Sequence, residues 1–571
     1  VGQRQIQAIG CGAAAGSGSN TTLPRSRAMV PRLAVVIVAF GLGYVALVSH
    51  LYDLQLIKGP GYLVRAESQY AAANLLKAER GVIYFTDKNG KHLPAVSNKN
   101  FPLIYAVPKV IEDPSETAYQ LASILNQPPE NLLPLLSNRT NTYKPLLKKA
   151  EAQIVKQVDE MAAKGIYVGS VVERFYPFGK LVAHLLGFVA PNDEDFGESG
   201  RYGVEEVYDQ QLAGIAGEIK GNKIMPPRSG RDLILTIDPN IQIEAERILQ
   251  SLQDTYKTKG GSVIVMEPQS GKILAMGSLP NFDPNAYSES DIANFLNPVT
   301  QQIYEPGSVF KIITMAAGLD SGKITPDTTF YDTGKLELNK RTIKNWDLKA
   351  HGTVTMTNVL EKSINTGAAF AERQTGDEIF KNYLVKFGFG EKTGVDLPGE
   401  IRGDLKRLTP QAPAIAFATA SFGQGVAVTP LQLISAASAI ANGGKLMRPY
   451  VNDELGPKEI REVISARAAR QVTDMMVSAL DKAEVAKISS YALAGKTGTA
   501  QVPIKGGYAD DRVINTYVGF GPVTAPRFVI LIKINEPEGA PVAGLTVVPA
   551  FRELAQFILN YYNIPPDRLD N

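Results

Sequence analysis

Three short motifs that carry nucleophile and lysine chemistry stand in one order along this chain of 571 residues. They are Ser308-Val309-Phe310-Lys311, Ser363-Ile364-Asn365 and Lys496-Thr497-Gly498, which read as S-x-x-K, S-x-N and K-T-G. Each motif alone means little, because a serine three residues before a lysine is expected by chance in a chain of this length. Their order and their separations of 55 and 133 residues make the set specific, and they require a fold that brings three distant segments together.

The first motif has the local sequence of a helix start. Pro306-Gly307 breaks the chain before Ser308, and apolar residues then recur at helical spacing, namely Val309, Ile312, Ile313, Ala316, Ala317 and Leu319. Ser308 is therefore expected in the first turn, where free backbone N–H groups and the helix dipole favour negative charge on its oxygen. Lys311 projects from the same face and can reach the hydroxyl.

A serine needs a base to become a nucleophile, and a desolvated lysine with a lowered pKa can take its proton. Only one of the four histidines, His351, lies in the half of the chain that holds the motifs, so a Ser-His-Asp triad would depend on it. Lys311 is the predicted base. In isolation, Ser308 as a helix cap and Lys311 as a solvated surface residue would be the better interpretation, and the other two motifs reverse that preference.

The second and third motifs provide polar groups for such a site. Ser363 and Asn365 follow a helical run that begins near Thr355, so they are expected at a helix end or in the next turn, although a plain turn is the alternative. The segment Lys496-Thr497-Gly498-Thr499 is predicted on an inner strand, where Gly498 leaves room for a substrate to approach the backbone. The lysine and the two threonine hydroxyls suit a substrate carboxylate.

The composition excludes several other classes of function. Lys and Arg number 59 against 57 Asp and Glu, so no nucleic-acid partner is expected. A single cysteine, Cys11, rules out an intramolecular disulfide, and four histidines are too few for a usual zinc site. We therefore expect neither a catalytic metal nor a cofactor.

A membrane span is predicted at residues 33–52, which contain no Asp, Glu, Lys or Arg and have the ~20 residues needed to cross a bilayer. A buried core helix is disfavoured because the segment is apolar all round, and a cleaved signal peptide because the segment starts late and runs long. Four arginines precede the span, so residues 1–32 are expected to form a cytoplasmic tail and the rest to lie outside, in the periplasm or extracellular space.

The remainder reads as two parts with mixed α and β signals. Residues 53–230 form a polar segment with short strand and turn signals, and the turn-rich stretch 225–230 marks a boundary. In residues 231–571 a strand at 233–237 is followed by a helix opened by Asp238-Pro239 and by a hairpin, and three more strands follow near the third motif. This order predicts an α+β fold with one antiparallel five-stranded sheet covered by helices.

The chain resembles a class B penicillin-binding protein, a peptidoglycan D,D-transpeptidase of the division type. Beyond the three motifs, the resemblance rests on blocks that surround them and on blocks in the outer segment, namely Glu305–Lys311, Ser421–Gly425, Thr429–Gln432, Leu235–Asp238, Gly495–Ala500, Tyr176-Pro177, His184–Gly187 and Gly203–Glu205. It implies a penicillin-binding transpeptidase fold in residues 231–571 and a pedestal or dimerisation-type domain in residues 53–230. One departure is an insertion of Phe85 and Thr86 in the pedestal, with no expected loss of catalysis.

The resemblance also implies an activity and its residues. Ser308 would attack a stem peptide ending in D-Ala-D-Ala, release D-Ala and pass the acyl group to an amine, and β-lactams would acylate the same serine. Lys311 would be the base, with Ser363 and Asn365 supporting proton transfer. The substrate carboxylate would be bound by Lys496, Thr497, Gly498 and Thr499, and the backbone N–H groups of Ser308 and Thr499 would form the oxyanion hole.

Partners and alternatives follow from the same resemblance. Only about 180 residues separate span and transpeptidase, so polymerisation is expected from a membrane glycosyltransferase within a division complex. An elongation-type transpeptidase or a D,D-carboxypeptidase would share the same motifs. A β-lactamase is disfavoured by the span and the pedestal, and a non-catalytic β-lactam sensor or division scaffold is disfavoured by the short tail and the intact motifs.

Overall fold

The computed structural model describes residues 29–52, 77–192, 198–220, 223–539 and 542–568. The chain divides into two compact units, Val1–Leu75 and Leu76–Asn571. Most of the predicted cytoplasmic tail, with Cys11, and the segment 53–76 that follows the predicted span lie outside the described residues.

The described residues of the first unit form one long helix, α1 (Met29–Tyr52). The predicted membrane span, residues 33–52, falls within this helix. None of the helices in the described ranges is both long and apolar enough to cross a membrane. The membrane span therefore stays a prediction.

The second unit begins with a mixed α and β part. In chain order its elements are β1 (Ile83–Thr86), β2 (His92–Ala106), α2 (Pro114–Leu125), α3 (Pro129–Ser137), β3 (Lys144–Lys148), α4 (Ala152–Met161), β4 (Ile166–Phe175), α5 (Ala183–Leu186), β5 (Phe188–Pro191), β6 (Glu198–Arg201), α6 (Gly203–Val207), α7 (Asp209–Ala213), β7 (Glu218–Lys220), β8 (Lys223–Met225) and β9 (Leu233–Ile234). The main sheet has the order β3-β2-β1-β9, and β4 also pairs with β2.

The strand predicted at residues 233–237 is shorter than expected, because only Leu233 and Ile234 form a ladder, parallel to β1. Leu235 then makes a single bridge to Asn452, and the Thr236 N–H donates to the Val451 carbonyl at 2.8 Å. The main sheet of the first part thus takes its last strand from beyond residue 230, and the chain leaves that sheet to enter the second part.

A buried carboxylate joins three segments of the first part. Glu205 at the start of α6 is fully buried and accepts hydrogen bonds from the Arg174 guanidinium at 2.7 Å and the Arg80 guanidinium at 2.8 Å. A buried charge is tolerated when it is paired and hydrogen-bonded in this way. This pairing gives a structural reason for the Gly203–Glu205 block.

The second part follows with a longer series of elements. They are α8 (Pro239–Tyr256), β10 (Gly260–Met266), β11 (Ile273–Leu279), α9 (Pro298–Gln301), α10 (Lys311–Asp320), β12 (Thr329–Asp332), β13 (Lys335–Leu338), β14 (Arg341–Lys344), β15 (Gly352–Thr355), α11 (Met356–Glu361), α12 (Asn365–Thr375), α13 (Asp377–Lys386), α14 (Ala414–Ala420), α15 (Pro430–Ala441), β16 (Lys445–Met447), β17 (Glu459–Glu462), α16 (Ala466–Ala483), β18 (Ala494–Ile504), β19 (Gly507–Gly521), β20 (Phe528–Asn535) and α17 (Val547–Tyr561).

The predicted five-stranded antiparallel sheet is confirmed, with the order β11-β10-β20-β19-β18. Alternate residues of β20 point to two separate cores, as the period of a strand requires. Val529 and Leu531 pack with Ile434 of α15, whereas Ile530 and Ile532 pack with Phe551 of α17. Helices therefore cover both faces of the sheet.

The third motif does not lie on an inner strand as predicted. Lys496, Thr497 and Gly498 belong to β18, and β18 is an edge strand that pairs only with β19 within the sheet. The buried pattern of its first half resembles that of an inner strand because the segment Gly307–Phe310 covers this edge. A 3₁₀ turn, rather than a sixth strand, therefore covers this edge.

Candidate active site

Ser308 lies in a 3₁₀ turn, Gly307–Phe310, that leads directly into α10. The six apolar residues of the predicted stripe are all buried, but α10 is buried on every side from Lys311 to Leu319 rather than along one face. Gly307 has a φ of +61° and donates its N–H to the Gly423 carbonyl at 3.2 Å, which allows the turn to approach the Ser421–Gly425 segment closely. Ser308 itself is left partly exposed.

Lys311, the first residue of α10, is completely buried and contacts both serines of the motifs. Its Nζ lies 3.0 Å from the Ser308 Oγ and 3.1 Å from the Ser363 Oγ. It also donates to the Ser363 carbonyl at 2.6 Å and to the Asn365 Oδ1 at 2.8 Å. The first two motifs therefore meet at one amine, as the sequence predicted.

The partners of Lys311 suit a neutral amine. The Ser363 carbonyl and the Asn365 Oδ1 can only accept hydrogen bonds, so they take the two N–H groups of such an amine. The Asn365 amide cannot turn around without loss, because its Nδ2 donates to the Lys344 carbonyl at 2.9 Å. The lone pair of the amine is then left for a hydroxyl, and the Ser308 hydroxyl lies within reach.

Burial lowers the pKa of Lys311 well below the ordinary value of a lysine, and the nearby positive charge of Lys496 lowers it further. Burial also lowers the pKa of Lys496 to about 7. Two neighbouring lysines whose pKa values are both lowered are expected at a site of proton transfer.

The second motif begins in the turn after a helix, as predicted, and its Asn365 begins a further helix. The Thr355 side chain caps α11, Asn365 begins α12, and Ser363 lies between them with a φ of +56°. A non-glycine residue in this left-handed conformation is strained and is held by its surroundings. The conformation turns both the hydroxyl and the carbonyl of Ser363 toward the Lys311 amine.

The third motif approaches from the edge strand. Lys496 Nζ donates to the Ser363 Oγ at 3.1 Å, so the Ser363 hydroxyl lies between the two lysines. The same Nζ lies 3.1 Å from the Thr497 carbonyl and 3.2 Å from the Thr497 Oγ1. The Thr499 Oγ1 accepts a hydrogen bond from the Ala543 N–H at 3.1 Å, which leaves its own proton free to donate.

Gly498 has a different role from the one predicted. A Cβ on Gly498 would lie 2.7 Å from both the Pro306 carbonyl oxygen and the Val309 Cγ2. The missing side chain therefore makes room for the turn that carries Ser308, rather than for a substrate. This close contact places the segment 498–500 against the segment 306–309.

A cavity of about 1340 Å³ opens on these groups and is lined by Ser308, Ser363, Asn365, Thr497 and Thr499. Lys311 and Lys496 lie buried beneath it, with their Nζ atoms against the serines. His351 does not line this cavity, and its imidazole lies 3.2 Å from the Asp347 carboxylate. Within the described residues, no group of three or more His, Cys, Asp or Glu side chains could hold a metal ion.

Comparison with known proteins gives the family. Residues 261–556, just over half of the chain, match the penicillin-binding protein transpeptidase domain, and residues 75–223 match the penicillin-binding protein dimerisation domain. The chain belongs to the class B penicillin-binding proteins. The resemblance to the class B penicillin-binding proteins, and the fold that it implied for the two parts of the second unit, are thereby confirmed, whereas the division type stays a prediction.

Individual relatives extend the match over nearly the whole chain. This penicillin-binding protein is 33% identical to Stage V sporulation protein D of Bacillus subtilis, over 93% of this chain and 84% of that protein. It is 25% identical to the probable peptidoglycan D,D-transpeptidase PenA of Neisseria gonorrhoeae, over 94% of each. A crystal structure of penicillin-binding protein 3 from Mycobacterium tuberculosis with aztreonam is similar at a TM-score of 0.65 and 26% identity, over 86% of this chain and 98% of that one.

The sequence analysis missed one connection in the site of this penicillin-binding protein. Glu305, which lies three residues before Ser308, is buried, and its carboxylate accepts from the Gly425 N–H at 3.0 Å and from the Tyr508 hydroxyl at 2.9 Å. Burial raises the pKa of Glu305. Glu305 lies within one of the blocks that resemble the family, so it could have been predicted as a site residue from the sequence. No local signal marks Tyr508, because its position depends on how β18 and β19 pair.

Proposed function

We propose that this chain is a membrane-anchored peptidoglycan D,D-transpeptidase that cross-links stem peptides through an acyl-enzyme on Ser308. The observation that carries the proposal is the placement of the buried Lys311 amine, 3.0 Å from the Ser308 Oγ and held by acceptors at Ser363 and Asn365. A neutral lysine in this position can take the proton of the serine, and the transpeptidase family supplies the reaction class.

In the acylation step the Ser308 oxygen attacks the carbonyl between the two terminal D-Ala residues, and its proton passes to Lys311. The tetrahedral intermediate then breaks the peptide bond, and the departing D-Ala nitrogen receives a proton. The Ser363 hydroxyl lies 3.1 Å from both lysine Nζ atoms and can carry that proton. An amine of a neighbouring strand attacks the acyl-enzyme by the same steps in reverse.

The third motif would bind the terminal carboxylate of the substrate. Lys496 supplies the charge, and the hydroxyls of Thr497 and Thr499 can donate hydrogen bonds into the cavity. The backbone N–H groups of Ser308 and Thr499 would form the oxyanion hole, and the close approach of residues 498–500 to 306–309 supports that pairing. β-Lactams would acylate Ser308 in the place of the substrate.

We also propose the domain plan derived from the sequence. Residues 1–32 are a cytoplasmic tail, 33–52 a single transmembrane helix, 53–230 a pedestal and 231–571 the transpeptidase domain, outside the cell membrane. The apolar run in the sequence and the four arginines before it support the anchor. A membrane glycosyltransferase and other proteins of a septal division complex would be the partners.

The test is mass spectrometry of the full chain in detergent after incubation with benzylpenicillin. An adduct on the peptide that holds Ser308 is expected in the wild type and in Ser321→Ala, which changes the residue directly after α10. The adduct is expected to be absent from Ser308→Ala. A folded sample without the adduct contradicts the proposal. Release of D-Ala with water as the only acceptor, in the presence of an amine peptide, would favour a D,D-carboxypeptidase.

A further inference from the structure

The cavity above Ser308 is larger than a terminal dipeptide requires. Its volume of about 1340 Å³ exceeds the ~300–1,000 Å³ of pockets that enclose a whole drug-sized ligand. The terminal D-Ala-D-Ala would lie between Ser308 and the third motif. The remaining space must therefore receive the part of the stem peptide that precedes these two residues.

One wall of this space is positively charged. Arg341, Lys344 and Lys362 are exposed residues of the cavity lining. Among the described residues, none of these three cations has an ion-pair partner. Long charged side chains that line a cavity without partners attract a ligand of the opposite charge.

The acidic residues of the cavity lining do not neutralise this wall. Glu361 is paired with Lys482 at 2.7 Å and also accepts from the Ser478 hydroxyl at 2.6 Å. Glu305 is engaged by the Gly425 N–H and the Tyr508 hydroxyl, and Arg407 lies near enough to lower its pKa. Both carboxylates therefore already have partners, and the three cations are left for a ligand.

The charged wall is joined directly to the second motif. The Lys344 carbonyl accepts the hydrogen bond from Asn365 Nδ2 at 2.9 Å, and Lys362 immediately precedes Ser363. Arg341 and Lys344 are the two ends of β14. A ligand bound to this wall therefore lies beside the groups that would transfer the proton.

Two large apolar side chains accompany the cations. Trp346 is 65% exposed and Leu348 is 75% exposed, and both line the same cavity. The Trp346 Nε1 donates to the Lys362 carbonyl at 3.0 Å, which holds the indole beside the backbone of Lys362. An aliphatic chain can cover these two side chains and gain hydrophobic stabilisation.

We propose that Arg341, Lys344 and Lys362, with Trp346 and Leu348, form a subsite for a second carboxylate of the stem peptide. This carboxylate is carried, on an aliphatic side chain, by a residue that precedes the terminal D-Ala-D-Ala, and it is distinct from the terminal carboxylate bound by Lys496. The inference rests on the proposed function. It predicts that the enzyme selects stem peptides with a free carboxylate at that residue over peptides in which it is an amide.

The test compares two soluble synthetic stem peptides that differ only in this group, a free carboxylate or a carboxamide. Their kcat/KM values for D-Ala release are expected to differ about tenfold or more in favour of the acid. Arg341→Gln, Lys344→Gln and Lys362→Gln, singly and combined, should reduce the ratio progressively, to within about twofold for the triple variant. The peptides contain no phosphate, so the preference cannot arise from binding of a lipid pyrophosphate.

The matched control is Lys340→Gln, which removes a charge from the turn between β13 and β14 but does not line the cavity. This variant should keep the wild-type ratio. Equal kcat/KM for the two peptides in the wild type, or a loss of preference in Lys340→Gln as large as in the variants of the wall, would overturn the subsite. Failure of the wild type to release D-Ala from either peptide, without a benzylpenicillin adduct, would instead overturn the proposed function.

Discussion

The Nζ of Lys311 lies 3.0 Å from the Oγ of Ser308, in a position that is completely buried. A lysine here can act as a base only when it is neutral, and burial favours the neutral form. Arginine stays protonated in proteins, so Lys311→Arg should retain the positive charge and lose the base. We expect benzylpenicillin acylation to slow by about 10²–10⁴-fold, the usual contribution of a general base.

Stopped-flow fluorescence of the full chain would measure this acylation rate, with thermal unfolding to establish that the variant is folded. Lys323→Arg, an exposed lysine just beyond α10, is the matched control and should acylate at the wild-type rate. An acylation rate for folded Lys311→Arg within threefold of the wild type would show that another group is the base.

The acylation rate should depend on the protonation of both Lys311 and Lys496, and the two dependences should run in opposite directions with pH. The rate should rise with pH as Lys311 loses its proton, because only the neutral amine accepts the serine proton. It should fall above about pH 7 as Lys496 loses its proton, because its pKa in the free enzyme is lowered to about 7 and only the charged form attracts a carboxylate. The kcat/KM profile should therefore be bell-shaped, since this ratio reports the free enzyme.

Lys496→Arg separates the two limbs of the profile. An arginine at this position stays charged throughout, so the alkaline limb should disappear while the acidic limb remains. The absolute rate should drop as well, because the larger guanidinium alters contacts with Ser363 and Thr497. An alkaline limb that persists at the same pH in Lys496→Arg would assign that limb to a different group.

Gly498→Ala should damage the site more than it damages the fold. The added methyl group would meet the Pro306 carbonyl oxygen and the Val309 Cγ2 at 2.7 Å, so β18 and the serine turn must move apart. We expect acylation to slow by one to two orders of magnitude, because small misplacements of reacting groups are costly. Gly507→Ala, at the turn end of the β18–β19 hairpin where a Cβ meets no atom within 4 Å, is the control for stopped-flow acylation and thermal unfolding. Equal effects of the two substitutions would contradict this account.

The sequence allowed the meeting of the motifs to be predicted, because each motif carries its own local structure. Pro306-Gly307 ends one segment, Thr355 caps a helix, and the apolar run that begins at Phe528 indicates a buried strand. The place of β18 at the sheet edge could not be predicted, because residues that lie under a covering turn are as buried as those of an inner strand. The role of Gly498 was also predicted wrongly. The atoms that a side chain at this position would meet belong to a turn almost 200 residues earlier in the chain, so no local pattern reveals them.

The hydrogen bond between Glu305 and Tyr508 leads to the last prediction. The Glu305 carboxylate accepts from the Tyr508 hydroxyl of β19 at 2.9 Å and from the Gly425 N–H at 3.0 Å, so it holds three segments around the cavity. Tyr508→Phe removes one donor from a buried carboxylate, which typically costs about 1–3 kcal/mol of stability. It also releases the β18–β19 hairpin from the segment that carries Ser308, so acylation should slow several-fold.

Tyr331→Phe makes the same chemical change at a side chain that is 69% exposed, and it should alter neither the unfolding midpoint nor the stopped-flow acylation rate. If Tyr508→Phe matched Tyr331→Phe in both measurements, the hydrogen bond would have no role in holding the site.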